Sequence, residues 1–135
     1  MSGDLALDDV EGPGWADPDY PSPMVQRIRA LGRVPLREFT ADDFRLIITQ
    51  QRALGTLIPL ALDLLQEQPL LEATYYPGDL LMAVAKVGDT FWRAHPDFRD
   101  RAKRILAGAI AQLDTLDEDD REESEPMLRA AYEAL

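Results

Sequence analysis

Apolar residues along the chain recur at three- and four-residue intervals, and no stretch of convincing length alternates apolar with polar. An α-helix presents that period on one face, so the pattern predicts helices throughout. In "DFRDRAKRILAGAIAQL" the residues Phe98, Ala102, Ile105, Leu106, Ala109, Ile110 and Leu113 keep the spacing without a gap. "TLIPLALDLLQEQP" is apolar almost all round, which predicts the central helix, with Pro59 near its start and Pro69 as its stop.

Cap residues place the other elements. Ser22, Pro23 and Gly32 bound a helix with Met24, Ile28 and Leu31 on one face. "RVPLREF" reads as an extended link, because a residue before proline avoids the helical region. Thr40 caps the next helix, Asp42 and Asp43 fill its first turn, and Gly55 ends it, with Phe44, Ile47, Ile48 and Leu54 as its stripe. Pro77 and Gly78 turn the chain, and Asp79 caps a helix that buries Leu80, Leu81, Val84 and Val87 and closes at Gly88. Such a cap is worth about 1 kcal/mol. Asp89 opens a short turn that brings Phe91 and Trp92 inward, and Ser124 and Pro126 open a last helix. The expectation is an all-α fold, a compact single-domain bundle of about six or seven helices with short connections, over residues 22–135. Residues 1–21, rich in acid, glycine and proline, read as a flexible leader that Trp15 and Tyr20 could dock.

Composition narrows the function. The 135 residues contain no cysteine, which removes disulfides, a thiol nucleophile and thiolate metal sites. The first residues lack the basic start and apolar run of a signal peptide, and no apolar run approaches the ~20 residues of a membrane span. A soluble, cytoplasmic protein without membrane contact is expected. The net charge of −11 is segregated: residues 1–20 carry six acids and no base, and residues 114–125 carry eight acids and one base. The body between them is nearly neutral. Such a chain is repelled by a phosphate backbone, and a basic protein is its natural partner.

Catalytic templates find little to hold. His95 stands alone and is a poor seed for a metal site. The acids of "DTLDEDDREESE" lack the glycine that a calcium loop needs at its sixth position. Arg99, Arg101, Lys103 and Arg104 could touch RNA, but Asp97 and Asp100 interrupt them, and solvation of the helix is their ordinary role. Arg45, Gln50 and Gln51 form a polar cluster that either hydrogen-bonds within the fold or joins a binding surface. No catalytic residue, cofactor or metal site is expected.

From Pro35 to Trp92 the chain carries, in order, the Pro35-Leu36 pair, the "DFRLIITQQ" helix with Asp43, Arg45 and Gln50, the "PLAL" stretch from Pro59, and "YYPGDLL" from Tyr75 to Leu81. On these elements the segment resembles the immunity proteins of contact-dependent growth inhibition, a branch of the bacterial polymorphic toxin systems. The resemblance implies a non-enzymatic helical protein that binds and blocks the C-terminal domain of a large exported toxin, commonly a nuclease. Asp43, Arg45, Gln50, Pro77, Gly78 and Asp79 then belong to the scaffold. The toxin-facing candidates are the acids Asp117, Glu118, Asp119, Asp120, Glu122 and Glu123, together with whichever of Tyr75 and Tyr76 stays exposed, since adjacent side chains diverge. A helical adaptor unrelated to toxins is the competing reading, and a carboxylate-based hydrolase or metal enzyme a third.

Overall fold

Side-chain oxygens able to cap a helix mark several of the starts in the computed structural model, which describes residues 5–12, 14–16 and 22–135. Among these residues there are eight α-helices: α1 Leu7–Glu11, α2 Pro23–Leu31, α3 Ala41–Thr49, α4 Leu54–Glu67, α5 Asp79–Ala85, α6 Asp89–Ala94, α7 Pro96–Ala111 and α8 Glu118–Ala134. Short 3₁₀ turns occupy Leu36–Glu38 and Leu113–Thr115, and the described residues contain no strand beyond an isolated bridge between Glu72 and Pro77. The fold is all-α. Ser22 Oγ accepts from the Val25 N–H at 3.1 Å. Thr40 and Asp43 form a reciprocal capping box on α3, at 3.2 and 2.9 Å.

Helix ends depart further from expectation than helix starts. Helix α3 stops at Thr49 rather than at Gly55, which lies in the first turn of α4. The reversal is made by non-glycine residues: Gln51 and Ala53 adopt left-handed backbone, with φ of 58° and 52°. The Arg52 guanidinium, donating to the Trp15 carbonyl oxygen at 3.1 Å, braces this turn. The "RVPLREF" segment tightens into a 3₁₀ turn instead of running extended, and buries Leu36. On α2 the inward face is Val25, Ile28 and Leu31, while Met24 is exposed.

The last helix begins at Glu118, six residues before the expected Ser124. Asp117 caps it by accepting from the Asp120 N–H at 2.8 Å, and its acidic first turn meets the positive end of the helix dipole. Pro126 lies inside this helix, where it forgoes one backbone hydrogen bond.

The core runs through α5. Six of its seven residues are buried, from Asp79 to Val84, and it packs against α3, α4, α7 and α8. Helix α4 was expected at the centre, but its apolar run extends past the buried face, leaving Leu60 half-buried and Leu64 exposed. Trp92 is inside as expected. Phe91 packs on it edge-to-face with ring centroids 5.4 Å apart.

Part of the expected leader is packed on the domain. Leu7 is fully buried and Ala16 nearly so. The Leu36 N–H donates to Leu5 O at 2.8 Å, and the Thr56 hydroxyl donates to Glu11 at 2.6 Å. Ala6 and Leu7, not an aromatic alone, dock this segment. Tyr20 and the rest of residues 1–21 outside 5–12 and 14–16 lie outside the described residues. Gly32 follows from this packing. Its backbone is ordinary right-handed helix (φ −59°), but a Cβ there would collide with Asp8 Oδ1 and come within 2.9 Å of Trp15 Cζ2. Close approach of the Asp8 and Trp15 side chains, not a left-handed stop, is what this glycine accommodates.

Candidate functional site

The loop between α4 and α5 is built around a buried carboxylate. Asp79 is 4% exposed, and its oxygens accept from three successive N–H groups: Ala73 at 2.6 Å, Thr74 at 2.8 Å and Tyr75 at 2.8 Å. Asp79 is therefore not the cap of its own helix. It is the first residue of α5, and Gly78, with a φ of 90° that disfavours any side chain, occupies the cap position. The Gly78 N–H donates back to the Leu70 carbonyl at 3.0 Å. Together these bonds curl residues 70–79 into a closed turn.

Helix α3 buttresses the turn from one side. The Thr74 hydroxyl donates to Asp42 and accepts from Arg45 Nε, the latter at 2.8 Å. Asp42 also pairs with Arg27 of α2, whose guanidinium lies 3.6 Å from Asp43. The Thr74 hydrogen bond, then Arg27, hold the Asp42 carboxyl below its usual range. The Arg45 guanidinium lies over the Tyr75 ring, 4.7 Å from its centroid.

The two tyrosines diverge. Tyr75 is 71% exposed, whereas Tyr76 packs against the core. Burial pushes the Tyr76 phenol above the ordinary tyrosine value, and the charges of Asp79 and Glu123 add to the shift. Glu123 belongs to α8, which reaches the loop from the other side. Next to it, Ser124 is buried and its hydroxyl makes a long 3.5 Å contact to the Pro77 carbonyl.

The structure thus gathers Tyr75, Tyr76, Pro77, Gly78, Asp79, Asp43 and Arg45 with Glu123. The remaining acids, Glu122 back to Glu118 with Asp117 as the cap, fill the first turns of α8. Of the six acids all but Asp120 are exposed, and Asp120 is half-buried. Gln50 and Gln51 are separate from this face, exposed where α3 ends. Arg27 and Thr74 complete the network and were not singled out from sequence, and Asp42, read there as a first-turn acid, links them. They lie far apart along the chain, and no local spacing links them.

Other candidates are absorbed by the fold. His95 lies between the rings of Phe91 and Phe98, at 4.5 and 5.3 Å. Arg99 donates twice to Leu135 O, Arg101 bonds Asp63 and Gln66 of α4, and Lys103 sits over the Tyr132 ring. Of the four cations on α7, Arg104 is exposed and the other three are half-buried. A separate cleft of about 520 Å³ is lined mainly by Leu36, Phe39, Phe44, Leu60, Leu64 and Leu71.

A helical scaffold carrying a braced tyrosine turn beside an acidic helix suits protein binding. The sequence pattern of a family described as CDI immunity proteins matches residues 9–102. The chain belongs to that family. No curated protein and no solved structure matches it. CDI immunity proteins neutralise a toxin by binding it and are generally not enzymes. The matched region contains the Asp79 turn and its α3 buttress, and ends within α7. Helix α8, with its acids, follows the matched part of this immunity protein. No described helix is long and apolar enough to cross a membrane.

Proposed function

We propose that this immunity protein holds the C-terminal domain of its cognate toxin in a tight complex in the producer's cytoplasm, covering its active site or substrate cleft. The toxin domain is a basic nuclease. The observation that carries this reading is the acidic N-terminal half of α8, whose exposed carboxylates continue from the tyrosine turn through Glu123. A nuclease must present cations to hold a phosphate backbone. A row of carboxylates on a rigid helix competes for the same cations and speeds encounter. The family match supports toxin binding, and the position of α8 beyond it supports a partner-specific role for these acids.

Co-expression tests the reading. Growth arrested by the toxin domain encoded beside this protein is expected to resume, and cellular nucleic acid to stay intact. Continued arrest with the immunity protein present in folded form would overturn it. Intact nucleic acid under the toxin alone would overturn the nuclease assignment.

A further inference from the structure

Tyr75 adds little to the core, yet two devices fix it. Its own N–H is clamped by the buried Asp79 carboxylate, and its ring rests on Arg45, which is oriented by Thr74. An exposed tyrosine ordinarily samples several rotamers and loses that freedom on binding. Here the backbone clamp and the Arg45 contact restrict it before any partner arrives. Tyrosine and arginine are also the side chains that dominate binding energy at protein interfaces.

The surrounding charge identifies the occupant. Arg45 lies against one face of the ring, and the exposure of Tyr75 leaves the opposite face open. Arg27 is engaged by Asp42, which also answers the charge of Arg45. Glu72 is exposed across the bridge from Pro77, and Glu123 flanks the loop from α8. The uncompensated charge is negative and the surface at its centre is a π-face, the combination that attracts a cation. We infer that the open face of the Tyr75 ring is the anchor point for an arginine or lysine side chain of the toxin domain. The inference rests on the toxin-binding reading above and assigns the exposed tyrosine a role distinct from that of the α8 acids.

Binding kinetics with the purified toxin domain from the neighbouring gene test it, using wild type, Tyr75→Phe, Tyr75→Leu and Tyr75→Ala. Phenylalanine keeps the π-face and should bind within about threefold of wild type. Alanine should dissociate at least about 30-fold faster with little change in association rate. Leucine, apolar but without a π-face, should fall close to alanine. A leucine variant as tight as wild type would overturn the cation assignment, and an alanine variant as tight as wild type would overturn the anchor. In both cases toxin binding itself stands; a wild-type protein that does not bind overturns both readings.

Discussion

Removing the Asp79 carboxylate strands the N–H groups of Ala73, Thr74 and Tyr75 in a part-buried turn. Bonds from amides to a charged acceptor are worth more than neutral ones, and unsatisfied donors carry their own desolvation cost. Asp79→Ala should therefore lose about 3 kcal/mol or more in urea unfolding, well above the roughly 1 kcal/mol of a helix cap. A loss near the smaller value would return Asp79 to the cap role read from sequence. "PGD" before an apolar run is legible as a turn and helix start, but nothing local tells which backbone a carboxylate turns toward. Gly32 carries the same lesson: its position after α2 suggested a stop, whereas the neighbour that requires glycine is Asp8, distant in sequence. Gly32→Ala should cost about 1–3 kcal/mol as overpacking, read as a lowered thermal midpoint. An unchanged midpoint would contradict overpacking and mean that the Asp8 carboxylate swings aside.

At the scale of elements, the stripes on α3, α5 and α7 were legible because each follows one face of one helix. Ends were less so, since Gln51 and Ala53 accept left-handed backbone that tertiary contacts, not residue type, enforce. The start of α8 was missed because Ser124 and Pro126 offer a cap and first turn of their own, although the acids before them also suit the first turn of a helix. This helix is fastened largely by Leu128, 1% exposed, and Ser124, 2% exposed. Leu128→Ala should cost about 2–4 kcal/mol and loosen α8 first, visible as faster amide exchange in α8 than in α3. Uniform exchange across both helices would contradict that. The link between α3 and the loop has a pH signature. Asp42 titrates below its usual range in the folded state, so folded protein binds fewer protons there than unfolded chain. Its contribution is full above the ordinary carboxylate pKa of about 4 and is lost as pH falls through the lowered value. The stability difference between wild type and Asp42→Asn should be constant near neutrality and shrink below about pH 4; a pH-independent difference contradicts the assignment.

Across the whole molecule, charge segregation could be read from composition, but its placement could not. The contact between Ser124 and Pro77 joins residues 47 positions apart, and it brings Glu123 beside the tyrosine turn. On the proposed reading one face carries two functions: α8 supplies long-range attraction, and the clamped loop supplies a rigid contact. Attraction of this kind acts on the rate of encounter and is screened by salt. The decisive measurement is the association rate with the toxin domain as a function of ionic strength, for wild type and a variant with Glu118, Asp119, Glu122 and Glu123 replaced by lysine, shown to be folded by circular dichroism. Wild type should associate fast at low salt and slow steeply as salt rises. The variant should associate at least about tenfold more slowly at low salt, with a flatter salt dependence. Equal rates and equal salt slopes for the two proteins would contradict a toxin-binding role for the acidic half of α8.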